Sequence, residues 1–166
     1  MSVATLPSGA SVFVDANIVV YRFSQHPQFG APCRQLLDRI DQQDIIGYTS
    51  AHVLNEAAYR MLTLEAMAQY GWPQTGINRR LRRHPAEIKK LTRHRRAIER
   101  LSQSQLQIAP ITAQLVLNGT ALTQQFGLLT NDALIVAVMQ AQGLVNIASG
   151  DTDFDRVPGI TRFGPV

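Results

Sequence analysis

One stretch constrains the fold more than any other: Ser11 to Tyr21, reading SVFVDANIVVY. Val12, Phe13 and Val14 are apolar and β-favouring, Asp15 follows at once, and a second apolar run, Ile18-Val19-Val20, begins after Asn17. This is the pattern of a buried strand that ends on an acid and turns into a helix. In open α/β sheets ligands and metals bind at the carboxyl edge of the strands. Asp15 therefore marks that edge, and the question becomes whether the rest of the chain brings more chemistry to it.

Strand and helix patterns alternate along the chain. Helices are expected over Ala16 to Phe23 and from about Cys33 to Gln42, the second with Leu36, Leu37 and Ile40 on one face. Ile45 to Tyr48 reads as the second strand, and Thr49 or Ser50 then caps a helix through about Gln69 with Val53, Leu54, Ala57, Ala58 and Met61 inward. Gly71, Pro73 and Gly76 form a loop. Pro85 fits the first turn of a further helix whose apolar stripe is Ile88, Leu91, Ile98 and Leu101. Leu106 to Ala109 is the third strand. Two helices follow, Thr112 to Phe126 with Leu115, Val116, Ala121 and Leu122 inward, and Thr130 to Gln142, ended by Gly143. Val145 to Ala148 and Ile160 to Phe163 complete five strands. The alternation predicts parallel βαβ units in an α/β fold, a sheet covered by helices on both faces. A length of 166 residues predicts one domain, residues 1–166, with a basic helical segment at about 71–104.

Composition narrows the class. A single cysteine, Cys33, excludes an intramolecular disulfide and a cysteine metal cluster, and fits a reducing cytoplasm. The N-terminus shows no basic region followed by an apolar one, so no signal peptide is expected. The longest apolar run, Ala133 to Met139, is too short to span a bilayer, so no membrane partner is expected. Charge is uneven: Arg79 to Arg100 holds ten basic residues and two acids, net +8, whereas the remainder holds six basic residues and ten acids, net −4.

The acids recur at one type of place. Asp15 closes the first strand. Asp132 opens the apolar helix Ala133 to Met139, and Asp151 follows the strand Val145 to Ala148, in the topological position of Asp15. Asp153 stands two residues later, and Glu56 lies beside the apolar face of the helix after the second strand. Taken singly, each has an ordinary reading: Asp15 and Asp132 as helix-capping acids, Glu56 as an exposed side chain, Asp151, Asp153 and Asp155 as parts of a polar turn. Taken together they crowd one sheet edge. Close like charges hold one another protonated unless a cation sits among them, and a cluster of oxygen donors without histidine selects Mg²⁺ or Mn²⁺. Such ions acidify a water and stabilise a leaving oxygen, which is the chemistry of phosphodiester hydrolysis.

At this point the sequence resembles a family. VFVDANIVVY, TSAHVLNEAAYR, LLTNDALIVAVM and NIASGDTDF resemble, in family order and across nearly the whole chain, the PIN-domain ribonucleases, in particular VapC-type toxins of bacterial toxin–antitoxin pairs. The resemblance implies a three-layer α/β/α sandwich around a parallel five-stranded sheet. It implies an acidic site of Asp15, Glu56, Asp132 and Asp151. Asn17 matches the polar residue two after the first acid, Ser149 stands where the family has Ser or Thr, and Asp153 is a position the family often makes acidic. Metal ligands would then be Asp15, Asp132, Asp151 and Asp153, the substrate RNA, and the protein partner an antitoxin. The Gly71 to Ser104 segment departs from compact members in being longer and more basic.

In that segment Arg79, Arg80, Arg82, Arg83, Arg93, Arg95 and Arg96 either neutralise RNA phosphates through their planar forks of donors or form a solvated helix face. The apolar stripe beneath them would pin the helix to the domain or to a twin subunit, which leaves a homodimer open. No aromatics interleave the arginines, so base stacking is not expected there. His26, His52, His84 and His94 are scattered and none is assigned to catalysis. Two rivals to a ribonuclease stand: a non-catalytic RNA-binding or scaffold module on the same fold, and a haloacid-dehalogenase-like phosphatase. The phosphatase needs a second Asp where this chain has Asn17.

Overall fold

The structure, a computed structural model, describes all 166 residues. Five short strands form one parallel sheet in the order β3-β2-β1-β4-β5. They are β1 (Ser11–Val14), β2 (Ile46–Ser50), β3 (Gln107–Ala109), β4 (Asn146–Ala148) and β5 (Thr161–Phe163). β1 is central, and Val12, Phe13 and Val14 are fully buried, as a strand covered on both faces requires. Phe13 pairs with Tyr48 of β2 and with Ile147 of β4, which fixes the register of the three inner strands. Helices cover the sheet on both sides, giving the expected three-layer α/β/α sandwich.

Two helices link β1 to β2, α1 (Ala16–Phe23) and α2 (Gly30–Asp41). Gly47 of β2 lets α2 close onto the sheet: a Cβ there would lie 2.6 Å from Ile40 Cδ1 and 2.9 Å from Leu106 Cδ1. Ser50 caps α3 (Ala51–Tyr70) through the backbone N–H of Val53. α7 (Ala113–Phe126) and α8 (Thr130–Ala141) form a tight hairpin before β4, and Gly119 permits their approach, because a Cβ there would lie 3.1 Å from Leu134 Cα.

The expected inward set on α7 holds at Leu122 and in part at Leu115, but Ala121 is exposed and Val116 is 46% exposed. It lies on the outer side of a helix whose buried positions are Gly119 and Leu122. Strand limits differ by a residue or two. Ile45, Leu106, Val145 and Ile160 precede their strands, β2 runs on to Ser50, and Asp15 caps α1 instead of closing β1.

The basic segment is where the fold departs from the sequence reading. It is not one helix from Pro85 but three short ones, α4 (Ile77–Arg83), α5 (Pro85–Ile88) and α6 (Arg93–Ser102). The supposed single stripe is divided between two cores. Ile88 and Leu91 pack with Ala66, Ile77 and Leu81 in a satellite cluster, whereas Ala97, Ile98 and Leu101 join the main core. The stripe is thus consumed within the chain.

α6 has no side-chain cap of its own. Its cap comes from α3: the buried carboxylate of Glu65 accepts from Thr92 N at 3.0 Å and Arg93 N at 2.9 Å. A carboxylate at a helix N-terminus satisfies orphan donors and meets the positive end of the dipole. Glu65→Ala is expected to destabilise the protein by about 1–3 kcal/mol, the usual penalty for buried donors left unpaired. Urea denaturation checks this, and a loss below about 0.5 kcal/mol would show that the cap is dispensable.

Candidate acidic site

The site is built at the carboxyl edge of β1 and β4. Asp15 is 6% exposed and its side chain is fully engaged. Oδ1 accepts from Ala16 N, and Oδ2 accepts from the Asn17 amide and, at 2.6 Å, from Ser149 Oγ. Asn17 also donates to Ser149 Oγ at 3.1 Å, and its own Oδ1 accepts from Gly150 N at 2.9 Å. Ser149 Oγ in turn accepts from Asp151 N at 2.9 Å. Asp15, Asn17 and Ser149 therefore form one network that ties the end of β1 to the loop after β4. Burial pushes the Asp15 carboxyl up to about 6, against the lowering effect of its bonds to Ser149 and Ala16; Glu56 adds a smaller upward push.

Three further carboxylates face one another. Asp132, Asp151 and Asp153 each present an oxygen within 4.8 Å of the others. Asp132 sits in the first turn of α8, whose N-cap residue, Leu129, offers no side-chain bond. Asp151 caps the 3₁₀ turn Thr152–Arg156 through Asp153 N. The Asp132 carboxyl is pushed up to about 6, chiefly by burial and then by the charges of Asp151, Asp15, Glu56 and Asp153. That set of neighbours shows that all five predicted acids share one electrostatic field.

The five are not equivalent. Glu56 has Arg60 3.7 Å away on the next turn of α3, and Asp153 pairs with Arg156 at 2.8 Å. Both arginines, missed by the sequence reading, stand at helical spacing from their acids and were in that sense legible. Asp15 is not part of the close triad, and its oxygens already accept three bonds. Asp132, with no basic partner, is the acid on which repulsion concentrates. The donor set is carboxylate throughout, without histidine or thiolate. It fits a hard divalent cation, which Asp132, Asp151 and Asp153 could hold.

The arginines of the basic segment fall into two groups. Arg79, Arg80, Arg82 and Arg83 are exposed on α4. Arg93, Arg96 and Arg100 of α6 line a cleft of about 1150 Å³ that also takes in Tyr21 and Arg60. Arg60 therefore borders both the cleft and the acids. Arg95 points elsewhere and pairs with Glu99 at 3.0 Å.

A parallel sheet in this strand order, with carboxylates from the start of α1, α3, α8 and the loop after β4 gathered at its carboxyl edge, defines an α/β protein with an acidic site at a switch in strand order. The chain belongs to the PIN domain family, whose model matches residues 12–160. Comparison with curated proteins finds no match. Among solved structures it is similar to VapBC2 from Rickettsia felis bound to a DNA fragment from their promoter, at 18% identity and a TM-score of 0.59 over 93% of this chain and 98% of that one. It is similar to VapC20 of Mycobacterium tuberculosis, a sarcin-ricin loop cleaving toxin, at 17% identity and a TM-score of 0.61 over 87% and 92%. A toxin-antitoxin complex from Klebsiella pneumoniae is similar at 20% identity and a TM-score of 0.57 over 90% and 95%. These likenesses establish the fold. No helix is long and apolar enough to cross a membrane.

Proposed function

We propose that this PIN protein is a metal-dependent endoribonuclease and the toxin of a toxin–antitoxin pair. The observation that carries the proposal is the carboxylate triad Asp132, Asp151 and Asp153, with oxygens within 4.8 Å of one another in the field of Asp15 and Glu56. Like charges so close are costly in a protein that has no use for a cation. Asp132, Asp151 and Asp153 would hold Mg²⁺ or Mn²⁺, and a bound ion supplies polarisation of a phosphate oxygen and acidification of water. Asn17 and Ser149 orient the Asp15 carboxylate by hydrogen bonds to it. Burial pushes the Asp15 and Asp132 carboxyls up to about 6, so both carry negative charge at neutral pH to set against a cation. Arg60, beside Glu56, lends positive charge at the rim where a phosphodiester would enter.

The VapBC similarities support an antitoxin protein as partner. The phosphatase reading loses further ground, because Asn17 is committed to holding Asp15 and cannot serve as a second acid. A non-catalytic RNA-binding module remains the second reading, and one assay separates the two. Purified protein is incubated with single-stranded RNA in Mn²⁺ and in EDTA. Cleavage in Mn²⁺ alone supports the enzyme, and intact RNA in both sinks it.

The exposed arginines of α4 are assigned to RNA phosphates. Replacing Arg79, Arg80, Arg82 and Arg83 by Ala is expected to weaken RNA binding. The slope of log affinity against log salt should flatten by about 0.7 for each phosphate that is no longer neutralised. Cleavage at saturating RNA stays largely intact. Binding as tight as the parent's at low salt would assign these side chains to an acidic part of an antitoxin or to solvent.

A further inference from the structure

A smaller cavity borders the acid loop at Gly150, beside the two chain ends. It has a volume of about 380 Å³ and is lined by Tyr21, Phe29, Gly150, Arg162, Gly164 and Pro165, among others. We propose that it is a nucleobase pocket, which holds one base of a single-stranded RNA against the aromatic corner of Tyr21 and Phe29, with the Arg162 guanidinium in the same lining. The proposal rests on the ribonuclease reading and deepens it, since it assigns the site a means of gripping a base.

Four observations carry it. First, the pocket adjoins the acidic site at Gly150. Gly150 lies in its wall, its N–H is bonded to Asn17, and its neighbours are Ser149 of the Asp15 network and Asp151 of the carboxylate triad. A Cβ on Gly150 would lie 3.7 Å from the Tyr21 ring, so that ring sits directly against the acid loop.

Second, the aromatic walls are pre-set. Tyr21 and Phe29 are half-buried, with ring centroids 5.1 Å apart and planes inclined at 44°. His26 stacks on Phe29 at 4.8 Å and 12°, and its Nδ1 accepts from Gln28 N and Phe29 N, which locks the corner between α1 and α2. Rigid half-exposed rings lose little entropy on binding.

Third, Arg162 is held flat and 17% exposed. Nε and Nη2 donate to the two oxygens of Asp155 at 2.8 and 2.9 Å, and Nη1 donates to Ser149 O at 3.2 Å. Three of its five N–H donors are thus taken by the protein, which fixes the plane and leaves its face and two N–H groups for a ligand. Bases splayed from single-stranded RNA stack on aromatic rings and on arginine planes.

Fourth, Tyr21 also borders the arginine-lined cleft. A strand whose phosphates follow Arg60, Arg93 and Arg96 reaches the acids and this pocket in turn. Base stacking, which the sequence offered no place for within the basic segment, finds one here.

The test is equilibrium binding of an uncut single-stranded RNA of about 12 nucleotides, in EDTA and across a salt series, to parent protein and to Tyr21→Leu, Tyr21→Phe and Phe29→Leu. Loss of one stacking ring is expected to weaken binding by about 5- to 100-fold. The slope of affinity against salt should stay unchanged, because every phosphate keeps its basic partner. Tyr21→Phe should retain parental affinity, which a role for the hydroxyl would not allow. RNA carrying 5-iodouridine should photocrosslink to Tyr21 or Phe29. Binding within about 2-fold of the parent for both leucine variants would overturn the pocket, as would a parent protein that binds no RNA. If Mn²⁺-dependent cleavage persists beside that result, the ribonuclease reading stands and only the pocket falls. If the rings matter for binding but no RNA is cut, the reverse holds.

Discussion

Asp132→Asn should abolish RNA cleavage and make the metal-free protein more stable. The loss expected in activity is about 10²–10³-fold or more, the scale for removing one pre-organised charge from a catalytic site. The stability gain follows from the burial of its carboxyl and then from the acids around it. Asp132 ionises with its carboxyl raised to about 6 by burial and by Asp151, Asp15, Glu56 and Asp153. Such a group is protonated more readily folded than unfolded, so the folded state loses stability as pH rises from about 4 through about 6. Asparagine never ionises and escapes that loss. The gain at pH 8 should be about 1 kcal/mol, well below the full shift, because half of the group faces water. At pH 4, where the parent's Asp132 is already neutral, it should vanish. Urea denaturation in EDTA at both pH values measures it, and a variant equally stable as the parent at pH 8 would show that neither burial nor the neighbouring acids penalise the Asp132 carboxylate.

Divalent ions should stabilise the protein in a pH-dependent way. Asp15 and Asp132 both have raised carboxyls, so their contribution favours the folded state at low pH and is withdrawn between about pH 4 and about pH 6. A cation competes with protons for the same oxygens. Above pH 6 it binds the ionised cluster in the folded protein and not in the unfolded chain. At 100 times its dissociation constant it contributes about 2.7 kcal/mol, or a rise in melting temperature of about 5–10 °C for a chain of this size. At pH 5 the rise should shrink to a small fraction of that. Thermal melts with millimolar Mn²⁺ at pH 5 and pH 8 test this. A shift equal at both, or absent at pH 8, contradicts a carboxylate metal site.

How much of this could be read in the sequence follows from the range of each interaction. β1 with Asp15, and β4 with the acids after it, were legible because a short apolar run that stops at an acid is a local signal. Tyr48 and Ile147, which flank Phe13 in the sheet, likewise lay in runs that alternate with helices. The basic segment was not legible in this way. Its stripe looked continuous, but Leu91 belongs to the satellite cluster and Leu101 to the main core, and α6 begins where Glu65, 27 residues earlier, can cap it. No local pattern announces a cap from another helix. The gathering of Asp132 with Asp151 and Asp153 was foreseen through resemblance and topology, whereas the engagement of Asp15 by Asn17 and Ser149 needed coordinates. The pocket of Tyr21, Phe29 and Arg162 draws on α1, α2 and β5, and nothing in their spacing predicts it.

If the carboxylates hold an ion that activates water against an RNA phosphodiester, the ends of the cut RNA record it, and end-group analysis of RNA cleaved by the purified protein reads them. Water attack directed by a metal predicts 5′-phosphate and 3′-hydroxyl ends, formed in Mn²⁺, absent in EDTA and absent with Asp132→Asn. Ends bearing a 2′,3′-cyclic phosphate, or cleavage that continues in EDTA, would mean that the RNA's own 2′-hydroxyl is the nucleophile, and would contradict the account.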